Sequence, residues 1–423
     1  MVDRDRLVAL RRAFHRQPEP AWREFWTTAR IVEELEAIGV DELYVGPEAL
    51  NTDERMAVPP EAELESWYER ALDAGADESI LERLRGGHTG AVAVVEQGAG
   101  PTVGLRVDID GLPREESTAE DHVPAAEGFR SETGAMHACG HDGHATIGLG
   151  VLEAVKESDF AGTLKLFFQP AEELVGGGKA MAKSGHLDDV DYLFALHLGL
   201  DHPTGEVVCG IDEFLAVKHI DVRFTGEPAH AGAKPEEGEN AVQAVATAVQ
   251  NLYAIPRHSD GATRVNVGHL EAGNATNIVA EEATMECEVR GVTTKLKDYM
   301  DERAHRVIEN AAAMHGCESE TSVGGEAPSA RSDEELVDIV GRIAGGNADV
   351  ERVVDRDALG GSEDATFLMQ AVQQRGGLAA YVCVGTDHPG GHHTATFDVD
   401  EASLPIGVDV LAGAIETVAA ERP

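Results

Sequence analysis

The feature that most constrains the fold is an alternation. Short apolar runs at 91–95, 102–107, 163–168 and 192–198 read as buried strands, and helical patterns lie between and around them. Residues 7–39 read as two helical stretches, with Ile31, Leu35 and Ile38 at helical spacing and Gly39 as a stop. A helical insert at 61–84 carries Trp67 and Tyr68, residues 145–156 form a helix, and 179–183 form a short one. Strand and helix alternating in this way predict an α/β layer with a mostly parallel sheet.

The texture changes near Phe214. Strands at 218–225, 264–271, 284–290 and 317–323, with helices at 240–253 and 296–315, give the order βαββαβ, the ferredoxin-like arrangement. Gly324 to Pro328 reads as the exit loop, after which a buried strand at 379–384 and a C-terminal helix return to α/β character. The expectation is a first domain split over 1–213 and 328–423, with an α+β domain, 214–327, inserted into it.

The 423 residues carry 34 Lys and Arg against 77 Asp and Glu, a formal charge of −43. A surface this acidic repels phosphates, so no nucleic acid partner is expected. No run approaches about 18 uninterrupted apolar residues, so no membrane span is expected. Only eight of the basic residues are Lys. A carboxylate-rich, lysine-poor surface fits work in molar salt, where the Debye length falls to about 3 Å and self-repulsion is screened. The five scattered cysteines imply no disulfide framework and, with no signal-peptide core at the N-terminus, a cytoplasmic chain.

The densest chemistry lies at 136–144, where His137, Cys139, His141, Asp142 and His144 crowd together. Imidazole and thiolate are ligands that zinc-like ions prefer. A polar helix-capping loop is the alternative reading of this segment alone. Glu172 and Glu173 follow a buried strand at the sheet edge where α/β proteins place ligands. Adjacent side chains diverge, so one carboxylate can hold a metal while the other takes a proton from water. A solvated helix start is the other reading of such a pair. His197 ends an apolar strand, as a core histidine also would, and His392 and His393 sit in a Gly-rich loop before Phe397 and Asp398.

Taken in order, these segments resemble the M20 metallopeptidases, in the amidohydrolase branch that holds aminoacylases, hippurate hydrolases and auxin-conjugate hydrolases. The matching stretches are 106–113, 137–144, 170–173, 195–197, 226–232, 274–279 and 393–398. The insert at 45–88, the run 361–364 and the paired His392 and His393 resemble the subgroup that cleaves p-aminobenzoyl-glutamate. The resemblance implies two divalent metal ions (Zn or Mn, with Co admissible) held by Cys139, His141, Glu173, His197 and His393, with Cys139 bridging as thiolate. It implies Glu172 as general base and His230 as the residue that reaches across a dimer to polarise the scissile carbonyl. It assigns Asn277 and Arg290 to the substrate carboxylate, to which an Arg fork is suited. Where many members carry His-x-Asp, this chain reads Arg106-Val107-Asp108, a substitution that the amidohydrolase branch shares.

The resemblance therefore implies a dinuclear-metal catalytic domain with a lid and dimerisation domain. The expected reaction is hydrolysis of the amide of a small N-acyl amino acid. Within enzymes, the alternative is a deacylase of hippurate, acetyl or succinyl substrates. A homodimer is expected, or a heterodimer with a B-type subunit. A catalytically silent chain is disfavoured by the complete set of Glu172 and ligands, and a metal-storage protein by the lid motif with His230 and Arg290.

Overall fold

The computed structural model describes residues 3–421. The chain forms two compact units. One holds the described residues up to Asp212, Ala330–Leu359 and those from Asp364 onward; the other holds Glu213–Ser329 with Gly360–Glu363.

The first unit is built on an eight-stranded sheet. Its order is Glu42–Val45, Ala91–Gln97, Gly162–Gln169, Thr102–Asp108, Tyr192–Leu198, Leu378–Val384, Glu206–Val208 and Arg352–Val354. The four strands from Gly162–Gln169 to Leu378–Val384 are mutually parallel. The two before them pair antiparallel, as does Glu206–Val208 with Leu378–Val384. The sheet is therefore mixed, with a parallel centre, where the apolar runs alone predicted a mostly parallel one. Run composition reports burial on both faces and not strand direction, so the antiparallel flanks left no mark.

The central strands are apolar throughout because both faces are covered. Leu105, Val107, Leu166, Phe168, Phe194 and Leu196 are all fully buried. The helices Arg4–Arg16, His141–Lys156 and Ser403–Glu421 pack together on this unit. Ser403–Glu421 is long and apolar enough to cross a membrane. Here Leu404, Val408, Leu411 and Ile415 are buried within the protein, as in a core helix. The Phe25–Ile38 helix ends where Gly39 takes the left-handed conformation at φ 79° and donates its N–H to Leu35 O. That stop was readable from the glycine, which adopts positive φ without a Cβ clash.

The second unit has the chain order βαββαβ. Its four-stranded antiparallel sheet runs Thr263–Ala272, Glu282–Gly291, Ala216–Thr225, Glu318–Ala327. Period-two alternation points Ile220, Val222 and Phe224 towards the helices Ala241–Tyr253 and Thr294–Met314. The Gly324 to Pro328 segment, read from sequence as an exit loop, is strand as far as Ala327. A register shift between Val323 and Gly325 absorbs the glycines as a bulge, and the ladder continues beyond it.

Candidate active site

In the first unit, the C-terminal ends of three adjacent parallel strands deliver the polar residues. Thr102–Asp108 brings Arg106 and Asp108, with Asp110 just beyond; Gly162–Gln169 brings Gln169 and the Glu172–Glu173 turn; Tyr192–Leu198 brings His197. This is the edge at which open α/β sheets bind ligands. The His141–Lys156 helix starts beside them. Gly140 precedes it at φ 88°, and a Cβ there would lie 3.2 Å from Val399. A glycine between Cys139 and His141 is thus required by both conformation and space.

Asp110 organises the centre. Its carboxylate accepts the backbone N–H groups of Glu172 at 3.1 Å and Glu173 at 3.0 Å. Its backbone carbonyl accepts Nδ1–H of His141 at 2.9 Å and of His137 at 3.2 Å. This contact leaves Nε2 of His141 as the nitrogen able to hold an ion; among the described residues it has no hydrogen-bond partner. His197 is set in the same way. Its Nδ1–H donates to Leu198 O at 2.7 Å, and Nε2 lies 3.5 Å from Cys139 Sγ.

His144 is different. Its Nε2 accepts the Leu198 N–H at 2.8 Å, so the proton is on Nδ1, which donates to Asp108. Both nitrogens are used, which removes His144 from the candidate ligands. Asp108 is held on its other side by Arg106 Nη1 at 2.8 Å. Arg106 Nε donates to Gln169 at 2.9 Å, and Gln169 donates to Asp364 at 2.6 Å. Asp364 in turn accepts the N–H groups of Gly177 and Gly178. Breaking one member of such a buried charged network typically costs about 3–5 kcal/mol.

The two adjacent glutamates lie near different histidines, although an oxygen of each falls within 4.8 Å of the other. Glu172 Oε2 lies 3.9 Å from His141 Nε2, and Glu173 Oε2 lies 3.4 Å from His393 Nε2. Of the histidine pair, His392 Nε2 points at Leu198 O (3.2 Å), while His393 faces Glu173. His393 has φ 60°, and its N–H is fixed on Ala138 O at 2.8 Å. The neighbouring strand end is shaped to receive the His392 ring. A Cβ on Gly199 would fall 2.9 Å from His392 Cε1 and 3.1 Å from His388 Cδ2.

Candidate ligand atoms fall into overlapping sets within 4.8 Å: Cys139, His141 and His197; Cys139, Glu173 and His393; His141, Glu172 and Glu173. The residues fit a metal centre. A buried imidazole nitrogen is left over, the donors are S, N and O, and the Glu172 and Glu173 carboxylates stand within reach of it. Burial lowers the pKa of His141, but the Asp108 charge together with hydrogen bonding to Asp110 and Cys139 outweighs it, and the net shift is upward. That position therefore favours a cation. Burial, reinforced by Glu173, pushes the Cys139 thiol up, so a thiolate there calls for a bound positive charge.

In the second unit, His230 lies on a two-residue strand paired with Ile278–Val279, and Ala231 donates its N–H to Asn277 O at 3.0 Å. His230 and Asn277 are thus brought together, and both are exposed. His230 Nδ1 accepts the N–H groups of Gly232 and Ala233, each at 3.1 Å, which places the proton on the exposed Nε2 as a donor. Arg290 stands apart, on the Glu282–Gly291 strand. Its Nε and Nη2 both donate to Glu288 at 2.9 Å, and Nη1 donates to Ser362.

A model for peptidase family M20/M25/M40 matches residues 104–417. The chain belongs to this family. Among M20 relatives, the A-type component of p-aminobenzoyl-glutamate hydrolase from Escherichia coli K12 is 44% identical over 410 residues, covering 95% of this chain and 93% of that protein. The indole-3-acetyl-aspartic acid hydrolase of Enterobacter agglomerans is also 44% identical, over 407 residues, with coverage of 95% and 93%. The crystal structure of an aminobenzoyl-glutamate utilization protein from Klebsiella pneumoniae superposes with a TM-score of 0.84 at 37% identity, covering 98% of this chain and 95% of that one. This M20 chain is a hydrolase of amide bonds and depends on metal.

Sequence reading missed the roles of Asp108, Asp110, Gln169 and Asp364. The signal for the first two was present. Charges at 106, 108 and 110 recur at period two at the end of an apolar strand, which puts them on one side.

Proposed function

We propose that the enzyme hydrolyses the amide of an N-aroyl acidic amino acid, with p-aminobenzoyl-glutamate as the leading substrate. The observation that carries this reading is the convergence of Cys139, His141, Glu173, His197 and His393 beside Glu172, in a chain 44% identical to a component of p-aminobenzoyl-glutamate hydrolase. The five residues would hold two divalent ions, zinc or manganese, with cobalt admissible. When bound, such ions supply a Lewis acid and lower the pKa of water from 15.7 to about 7.

Glu172 takes the proton of the attacking water and returns it to the leaving amine. Its backbone is fixed by Asp110, so its position is set before substrate arrives. His230 donates from Nε2 to the carbonyl oxygen as it becomes negative, a contact of a kind whose loss typically costs about 10²–10³ in rate. Asn277 and Arg290 grip the carboxylate of the amino acid, Arg290 exchanging Glu288 for it. In this reading the second unit serves as lid and dimerisation domain.

The relative that acts on indole-3-acetyl-aspartic acid is equally similar, which favours a second reading. In it, the acyl group is another aryl acid on an acidic amino acid. Two relatives are named as the A-type component of their enzyme, which supports assembly with a B-type partner in place of a homodimer. The −43 charge supports a cytoplasm of high salt as the place of work.

The test is metal analysis with a parallel amidase assay in molar KCl, on chelated and reloaded protein. About two ions per chain and restored cleavage of p-aminobenzoyl-glutamate are expected. No bound metal would overturn the ligand assignment. Preferred cleavage of indole-3-acetyl-aspartate would establish the second reading.

A further inference from the structure

Within the first unit, a pocket of about 390 Å³ opens beside the candidate ligands. Its volume lies within the range of small-molecule sites, roughly 300–1,000 Å³. Cys139, His197 and His393 form one side, and Leu200, His202, Asp357 and Leu359 stand on the wall. Two features mark this wall as built for a purpose.

The first is backbone strain. Gly199, Leu200 and Asp201 have consecutive positive φ values of 83°, 48° and 65°. For the two residues with a Cβ, this conformation is strained, and such strain gathers at ligand sites. With His393, three positive-φ non-glycine residues border one pocket.

The second is a fixed carboxylate. Asp357 Oδ2 lies 3.0 Å from His202 Nε2, and Oδ1 accepts the Ala358 N–H at 2.8 Å. His202 is itself anchored through Nδ1 on Glu206 at 3.1 Å. Asp357 is thus held in place while half its surface stays open. Asp201 adds a second carboxylate, and no Lys or Arg lines the pocket among the described residues.

We infer that this pocket seats the acyl group, and that Asp357, positioned by His202, selects an acyl group bearing a hydrogen-bond donor. The inference rests on the hydrolase reading above and adds a specificity determinant to it. The charge of the wall decides the orientation. A glutamate leaving group carries two carboxylates, which Asp201 and Asp357 repel, so the acyl group is the part that enters. Leu200 and Leu359 offer apolar contact to a ring. The carboxylate of Asp357 accepts an N–H from a ring amine, and it opposes an anionic acyl group such as succinyl.

The test compares kcat/KM for p-aminobenzoyl-glutamate and benzoyl-glutamate, which differ only in the amine, on metal-loaded enzyme in molar KCl. Wild type should prefer the amine by about tenfold, the size of one charge-assisted hydrogen bond. Asp357→Ala should bring the ratio towards one, and Asp357→Asn, which keeps a neutral acceptor, should fall between. A loss of folding or metal would lower both substrates together and leave the ratio alone. Should Asp357→Ala not fold, the wild-type inhibition constants of p-aminobenzoate and benzoate give the same comparison. A wild type that does not discriminate, or a ratio that survives Asp357→Ala, overturns the inference and leaves the hydrolase standing. A wild type that cleaves neither substrate overturns both.

Discussion

Asp110 Oδ1 accepts the backbone N–H of Glu172 at 3.1 Å, so the proposed base is held in place through its main chain. Asp110→Asn would turn an amide N–H against one of the two N–H groups that the carboxylate now receives. Misplacement of a reacting group by about 1 Å costs on the order of 10² in rate. We expect kcat to fall about 10²-fold with at least one ion retained, measured as turnover per bound metal. An unchanged kcat would show that the turn at 171–175 positions Glu172 unaided.

Glu172→Gln keeps the shape of the side chain and removes the proton acceptor. The variant should bind metal and melt as wild type does, while turnover falls at least 10²-fold, the lower end of what general-base catalysis contributes. Near-normal turnover would refute the role.

Cys139→Ser replaces the sulfur by a hydroxyl, a poor substitute for thiolate. Metal content after dialysis should drop, and the loss should steepen as pH falls, because ligands must be deprotonated to bind. Full metal content would remove Cys139 from the ligand set.

His15 is buried between two carboxylates, with Nδ1 2.8 Å from Asp142 and Nε2 2.9 Å from Glu116. Burial and the Arg11 charge push its pKa down, but hydrogen bonds to both carboxylates, added to their negative charge, outweigh them, and the net shift is upward from 6.5. A histidine raised on folding stabilises fully below its unfolded pKa and loses that contribution as pH rises through the folded value. His15→Gln should therefore cost about 3–5 kcal/mol near pH 6, as for other broken buried pairs. The difference between wild type and variant should narrow towards pH 9 in urea melts. A gap constant with pH would mean that His15 acts by packing alone.

The charge of −43 should make stability rise with salt. At 1 M the Debye length is about 3 Å, so repulsion among surface carboxylates is quenched. We expect the melting temperature to climb steadily as KCl is raised from dilute buffer to molar concentration. A flat profile would refute the proposal of work in high salt.

Much of the candidate site was legible because its residues stand beside strong local signals. Glu173 follows an apolar strand, His197 ends one, His141 and His393 follow glycines, and Cys139 stands within a dense run of histidines. The histidine pair could not be resolved that way, since His392 and His393 share one loop and differ only in what they face, Leu198 O or Glu173. Nor could His144 be set aside from sequence, because its exclusion depends on an N–H from Leu198, a strand residue distant in sequence from the helix that carries His144. The bulge at Gly324 was hidden for a similar reason. Glycines read as a loop unless a neighbouring strand is there to continue the ladder past them. Arg290 was legible as a fork but not as one already engaged with Glu288.

Gly199 has a consequence of another kind. Its lack of a side chain leaves open the space that the ring of His392 occupies. The loop and the strand end fit as a key fits a slot, and the slot consists of a missing methyl group. A substitution there would delete no ligand and no proton carrier. It would instead keep a chemically complete set of groups from assembling, so the damage would register first as weak metal retention and only later, if at all, as a lower melting temperature.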